Sequence, residues 1–234
     1  MPLRVALFSD VHGNLSALEA VLAAIACHAP VHLIVAAGDH AIIGPRPAET
    51  WDRLQAAGCL CIMGNEDEVL WDTPRELGEG SPYVSIMRAR LGPTVLALGE
   101  RRLAAMQAMP RSLRFSPAAG QGLLIVHANV HGLNGWALSP DLTDADLERL
   151  YGGAGAAIVC CGHYHAPSVR PWRGMRIVNV ASVSLPKDER PLAAYTILEW
   201  AGEWSVTQHR VPYDPAAEDA AWAPYPIPKT PPWS

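Results

Sequence analysis

Short apolar runs alternate with amphipathic stretches in the first part of this sequence. Three runs composed mostly of apolar side chains are typical of buried strands of a parallel sheet: residues 4–9, 31–36 and 59–63. Between the first two runs, apolar side chains recur at helical spacing from Leu18 to Ile25, behind Asn14 as an N-cap. A second helix is predicted at about 48–57, ending at Gly58. The pattern therefore predicts strand–helix units with three parallel strands.

The rest of the sequence moves from a helical middle to a strand-rich end. Residues 81–109 have helical character but are interrupted by Pro82, Gly92 and Pro93, so we expect two or three short helices there. A further helix is predicted at 144–150. Apolar runs predict seven more strands: residues 113–115, 123–126, 158–161, 169–172, 175–180, 195–200 and 205–211. The last four strands surround two glycine turns, which indicates antiparallel pairing.

Composition and charge narrow the class of protein. The chain has 234 residues, 50% hydrophobic and 18% charged, which is ordinary for a globular domain. We expect one domain over 1–213 and a tail over 214–234, rich in proline and tryptophan, that is extended or packed on the domain. A net charge of -5 argues against nucleic acid as a partner. No apolar segment suits a membrane span or a signal peptide, so we expect no membrane partner and a cytoplasmic location.

Five short polar signatures each follow directly on an apolar run that is predicted to be a strand. They are Asp10-Val-His12-Gly-Asn14, Gly38-Asp39, Gly64-Asn65, His127 and Gly162-His163-Tyr-His165. Taken singly, each has an ordinary explanation as a helix cap, a turn or a structural histidine. In an open α/β sheet, however, ligands bind at the carboxyl ends of the strands. Seven oxygen and nitrogen donors gathered there make a two-metal site the leading interpretation.

This series resembles the motifs of the calcineurin-like metallophosphoesterases, which read Asp-x-His, Gly-Asp, Gly-Asn-His-Asp, His and Gly-His-x-His. The similarity extends to the segment from Gly38 to Pro45 and to Asn179-Val-Ala-Ser182, and covers residues 3–213. These segments resemble those of the small single-domain bacterial and archaeal members. The resemblance implies a four-layer α/β/β/α sandwich of two mixed sheets, with a dimetal site on one edge.

Position by position, the resemblance implies two divalent metal ions and a set of residues that hold them. The implied ligands are Asp10, His12 and His165 for one ion, Asn65, His127 and His163 for the other, and Asp39 as the bridge. The implied catalytic residues are Asp39, Asn65, Glu66, Asp67 and His127. A metal-bridging hydroxide would attack a small phosphoester substrate. With imidazole and carboxylate donors and no thiolate, Mn²⁺, Fe and Zn²⁺ all suit the site, and we expect Mn²⁺ to support activity.

Charge favours a phosphodiester as the substrate. Two divalent ions, two aspartates and one hydroxide leave a net charge of about +1, which a diester monoanion neutralises and a monoester dianion exceeds. A monoester would need additional cations, and Arg46 is the obvious one in the motif loops. Two alternatives stay open: a phosphomonoesterase acting on a nucleotide or phosphoprotein, and a non-catalytic interaction scaffold on the same fold.

The sequence departs from the family pattern at Glu66, which stands where the family has a histidine that protonates the leaving group. A carboxylate beside two cations is a poor proton donor at neutral pH. Three explanations are open. The enzyme prefers substrates with good leaving groups, another group such as His40 or His131 supplies the proton, or Glu66 turns away as a surface residue.

Overall fold

The computed structural model describes residues 2–28, 30–72, 82–188 and 192–222. The strands are β1 (Leu3–Phe8), β2 (Leu33–Ala36), β3 (Leu60–Cys61), β4 (Ser112–Phe115), β5 (Leu123–Val126), β6 (Ile158–Cys161), β7 (Ser168–Trp172), β8 (Met175–Asn179), β9 (Leu192–Trp200) and β10 (Trp204–Pro212). The helices are α1 (Leu15–Ala26), α2 (Pro47–Ala56), α3 (Asn65–Glu68), α4 (Pro82–Gln107), α5 (Asp144–Tyr151) and α6 (Ala216–Trp222).

The strands form two mixed sheets of five strands each. The first has the order β10-β9-β1-β2-β3, with β1, β2 and β3 parallel and β9 antiparallel to β1. The second has the order β4-β5-β6-β8-β7, with a parallel centre of β5, β6 and β8 and antiparallel edge strands. The three predicted parallel strands and the two predicted late hairpins are confirmed. The parallel pairing of β6 with β8 was not predicted.

Side chains on alternate faces of each strand separate the core into layers. In β1, Val5 and Leu7 pack between the sheets, whereas Ala6 and Phe8 pack against the layer formed by α1, α2 and α4. In β5 and β6 the same alternation divides side chains between the intersheet core and the layer that contains α5. The predicted four-layer α/β/β/α sandwich of two mixed sheets is confirmed.

The middle helix differs from its prediction in where it is interrupted. Helix α4 passes through Gly92 and Pro93 and is broken at Gly99, which has φ 66° and ψ 168°. Only glycine adopts that conformation readily, so Gly99 divides the segment into two helices. The number of helices agrees with the prediction, but the position of the break was wrong.

The predicted tail over 214–234 is described only as far as residue 222. Within that part, α6 packs onto the domain, and Glu218 Oε1 accepts a hydrogen bond from the Ser16 backbone N–H at 2.7 Å. Residues 223–234 lie outside the described residues, so the boundary at 213 stays a prediction. Within the described ranges, no helix has both the length and the apolar character needed to cross a membrane.

We predict that Leu7→Ala lowers the free energy of unfolding by about 2–5 kcal/mol, because truncation of a fully buried side chain between the sheets leaves a cavity. Chemical denaturation measures this loss. Leu96→Ala is the matched control, since Leu96 is 85% exposed on α4 and its truncation should change stability little. Equal losses in the two variants would contradict the layered core.

Candidate metal centre

The predicted ligands converge where parallel strands of both sheets end. Loops after β1 and β2 carry Asp10 and Asp39, and loops after β5 and β6 carry His127 and His163. Asn65 is the first residue of α3, shortly after β3. Parallel strands bring their carboxyl ends to one edge of a sheet. Here those edges of the two sheets face each other, so all seven predicted ligands come together.

The first cluster contains Asp10, His12 and His165. His165 Nε2 lies 3.1 Å from Asp10 Oδ1 and 3.4 Å from His12 Nε2. One ligand atom from each residue lies within 4.8 Å of the others, and all three side chains are buried. Two ring nitrogens and one carboxylate oxygen therefore face a common point, as ligands of one metal ion do.

The second cluster contains Asp39, Asn65, His127 and His163. Asn65 Oδ1 lies 2.9 Å from His127 Nε2 and 2.8 Å from His163 Nδ1. His127 Nε2 is also 3.3 Å from Asp39 Oδ2. Asp39 belongs to a further group with His12 and Glu66, whose donor atoms lie within 4.8 Å of one another. Asp39 thus reaches both clusters, which suits a bridging carboxylate.

Backbone carbonyls orient two of the imidazoles toward the carboxylates. His127 Nδ1 lies 2.8 Å from the Ala37 carbonyl oxygen, and His165 Nδ1 lies 3.1 Å from that of Leu185. A ring that donates its Nδ1–H in this way keeps the Nε2 lone pair for a ligand. This donor set of imidazole, carboxylate and amide groups fits two divalent cations.

The loops that carry the ligands have strained backbones. Five of the seven predicted ligands adopt positive φ angles between 49° and 65°: Asp10, His12, Asp39, His163 and His165. Each such conformation costs on the order of 1–3 kcal/mol in a residue with a side chain, and such strain clusters at functional sites. Hydrogen bonds between the loops stabilise these strained conformations. One of them runs from the Asp10 backbone N–H to the Gly38 carbonyl oxygen at 3.0 Å.

Two glycines keep space for the carboxylates. A Cβ atom at Gly64 would lie 2.1 Å from Asp39 Oδ1, and one at Gly162 would lie 2.5 Å from Asp10 Oδ2. Neither approach is tolerable for a side chain, because the neighbouring atoms belong to buried loops. Glycine at these two positions therefore lets the backbone approach the carboxylates closely.

The carboxylates and imidazoles shift each other's pKa values strongly. Burial raises the pKa of Asp10 and of Asp39, but the surrounding imidazoles outweigh burial: they hold the pKa of Asp10 well below its usual range and lower that of Asp39. Burial lowers the pKa of His12 and of His127, but Glu66, Asp39 and Asp10 raise the first to about 9, and Asp39 with Asp10 raises the second to about 10. In the metal-free protein, cationic rings therefore balance the buried carboxylates.

His163 behaves differently from these two rings. Burial, together with the positive charge of His127, lowers the pKa of His163 to about 4. Its ring is therefore neutral at pH 7 and ready to act as a ligand without losing a proton.

Asp67 and Glu66 have distinct surroundings although they are adjacent. The Asp67 carboxylate accepts backbone N–H groups of Asp39, His40 and Gly64, each at 2.9 Å, and so ties the second and third signatures together. Glu66 is 4% exposed, and its Oε2 lies 3.2 Å from His12 Nδ1. The explanation that Glu66 is a surface residue is therefore wrong.

The two additional histidines lie against backbone carbonyls. His40 Nε2 is 2.9 Å from the Ile62 carbonyl oxygen in the core, and His131 Nε2 is 2.7 Å from that of Arg149. Both rings therefore contact backbone carbonyls, which argues against either histidine as the donor of the leaving-group proton in place of the family's histidine. The proton donor stays unassigned.

The structure changes the list of cations near the centre. Arg46 forms an ion pair with Glu218 of α6 and donates to Ser16 Oγ at 2.8 Å. The sequence did not indicate Lys187, whose ammonium lies 3.9 Å from the centre of the Tyr164 ring. In the sequence, Tyr164 stands between the two histidines of the last signature. Burial lowers the pKa of Lys187, and the charge of Asp10 opposes that shift. No motif indicated this lysine, because it lies in a loop that comes after the five signatures in the chain.

Comparison with known proteins places the chain in a family. The calcineurin-like phosphoesterase superfamily domain matches residues 3–203. An uncharacterized protein of Methanocaldococcus jannaschii is 26% identical over 190 residues, covering 80% of this chain and 73% of that protein.

Solved structures agree with this match. A metallophosphoesterase from Sphaerobacter thermophilus is 25% identical with a TM-score of 0.74, covering 97% of this chain and 95% of that one. A hypothetical protein from Pyrococcus horikoshii shares the fold with a TM-score of 0.83 at 17% identity, with the same coverage. Because the domain match spans most of the sequence, this chain belongs to the calcineurin-like phosphoesterase superfamily.

Proposed function

We propose that this protein is a phosphodiesterase that depends on two divalent metal ions, with Mn²⁺ as the expected metal. The observation that carries the proposal is the pair of neighbouring clusters connected by Asp39, which lies with His127 and His163 in the second cluster and also within 4.8 Å of a donor atom of His12 from the first. Asp10, His12 and His165 would hold one ion. Asn65, His127 and His163 would hold the other.

The protein's own residues would fix the reacting groups. Bound ions of this kind lower the pKa of a water molecule and polarise the phosphoryl oxygens. Asp39 would connect the two ligand clusters and hold them in a fixed position relative to each other. Asp67 would hold the Asp39 loop through its three backbone hydrogen bonds. The carbonyls of Ala37 and Leu185 would hold the rings of His127 and His165 in a ligating orientation.

Charge supports a diester over a monoester substrate. Glu66 adds a third carboxylate within reach of the clusters, which makes the centre less able to accept a dianion. Arg46, the cation expected to help a monoester, is paired with Glu218. A substrate that carries one negative charge at phosphorus therefore suits the centre best.

A phosphomonoesterase is the second candidate, and one observation favours it. The Lys187 ammonium lies close enough to interact with the charge of Asp10, and it offers one positive group to a substrate phosphate. A non-catalytic scaffold is the weaker alternative, because loss of activity usually removes ligands and all seven are retained here.

We predict that the protein binds two Mn²⁺ ions per chain and that Asp39→Asn weakens both. One substitution should affect both ions because Asp39 reaches both clusters, and turnover should fall by about 100-fold or more. Elemental analysis and calorimetry measure occupancy. Asp52→Asn is the matched control, since Asp52 pairs with Arg102 on the surface. At most one bound ion in the unchanged protein would refute the dimetal centre.

Metal binding should release protons at pH 7. Without metal, His12 and His127 have pKa values of about 9 and about 10, so both rings are protonated, whereas a metal ligand must be neutral. Up to two protons should leave these rings per loaded chain, a bound water that becomes hydroxide would release one more, and metal affinity should rise as pH increases toward 10. Calorimetry in buffers of different ionisation enthalpy counts these protons. An enthalpy independent of the buffer would contradict this electrostatic description.

With Mn²⁺, we predict faster hydrolysis of an aryl phosphodiester than of the corresponding monoester. Rates measured with p-nitrophenyl substrates of both kinds test the charge argument directly. A clear preference for the monoester would establish the second candidate instead. Absence of turnover with Mn²⁺, Fe²⁺ and Zn²⁺, despite full occupancy, would favour the scaffold.

A further inference from the structure

We propose that Glu66 is a positioning residue for the metal ligand His12: its carboxylate holds the Nδ1 side of the ring so that Nε2 faces Asp10 and His165. The inference rests on the proposed dimetal centre and assigns a role to the residue that replaces the family's histidine. It gives Glu66 a function other than proton donation.

The contacts place Glu66 behind the ligand ring. Glu66 Oε2 lies 3.2 Å from His12 Nδ1, and His12 Nε2 lies 3.4 Å from His165 Nε2 and 4.0 Å from Asp10 Oδ1. The two nitrogens of an imidazole point in different directions. The carboxylate therefore contacts the side of His12 that is turned away from the first cluster.

The other rings show why His12 needs such a partner. Backbone carbonyls of Ala37 and Leu185 meet Nδ1 of His127 and His165, as described above. At His12, the group within reach of Nδ1 is a carboxylate. A carboxylate fixes the tautomer of a ligating histidine and makes its other nitrogen more basic.

Burial and a second contact make Glu66 well suited to this task. His12 and Glu66 side chains are only 1% and 5% exposed, so water competes little for the contact. The Glu66 backbone N–H also donates to Asp39 Oδ1 at 2.9 Å. Glu66 is thereby connected to one residue of each cluster. A carboxylate held 3.2 Å from an imidazole nitrogen is placed as a partner of that ring, which argues against a role as the leaving-group acid.

Mn²⁺ titration of Glu66→Gln and Glu68→Gln by calorimetry tests the proposal. Both positions lie in α3, but Glu68 pairs with Arg111, whose side chain is 60% exposed, so Glu68→Gln is the matched control. For Glu66→Gln we expect two ions still bound, one of them about 10–100-fold more weakly. Glu68→Gln should bind both ions as the unchanged protein does.

A spectroscopic readout separates positioning from a general effect on folding. In Zn²⁺-loaded protein, the His12 Nδ1–H should give a downfield proton NMR signal that Glu66→Gln shifts and Glu68→Gln leaves in place. Glu66→Asp keeps the charge but shortens the reach, so it should give intermediate affinity, and it replaces Glu66→Gln if that variant does not fold. Glu66→His should weaken metal binding in the same way.

The outcomes distinguish this inference from the proposed function. Two ions bound with unchanged affinity in Glu66→Gln would overturn the positioning role and leave the dimetal centre intact. Loss of one ion altogether would also overturn it, because Glu66 would then be a direct ligand. No metal binding by the unchanged protein would refute the proposed function itself.

Discussion

The burial of two carboxylates at adjacent strand ends is the constraint on which the rest of the site depends. Asp10 and Asp39 are almost completely buried, and like charges at such proximity are tolerated only beside positive charge. Imidazoles supply that charge in the metal-free protein, and divalent ions would supply it in the proposed enzyme. Burial of these two side chains requires several chain segments to approach them closely. The strained loops and the glycines at positions 64 and 162 make that approach possible.

The sequence, together with its resemblance to a known family, was enough to predict the layered fold and to name the residues that converge. Apolar runs such as 123–126 and 158–161 predict strands with the observed bounds, since continuous burial on both faces leaves a clear signal. The order of polar residues after those strands then indicates a common edge. Helix α4 shows the limit of such reasoning. The helix breaks at Gly99 and not at Gly92 or Pro93. The sequence does not show which glycine adopts a positive φ angle, because that choice depends on tertiary packing.

The roles of Glu66, Arg46 and Lys187 could not be read from sequence spacing. Each depends on a partner far along the chain: His12 for Glu66, Glu218 for Arg46, and the Tyr164 ring for Lys187. Local patterns predict the backbone that carries a side chain but do not identify the distant group that it meets. In the proposed enzyme, these three contacts would bear directly on substrate charge and metal affinity. The finer chemistry of the site is therefore set by tertiary structure.

Anomalous X-ray diffraction from crystals grown with Mn²⁺ tests the dimetal centre most directly. We expect two manganese peaks about 3.5–4 Å apart, with Asp39 between them and the other six ligands divided as proposed. A single peak, or two peaks without Asp39 as a shared ligand, would contradict the account.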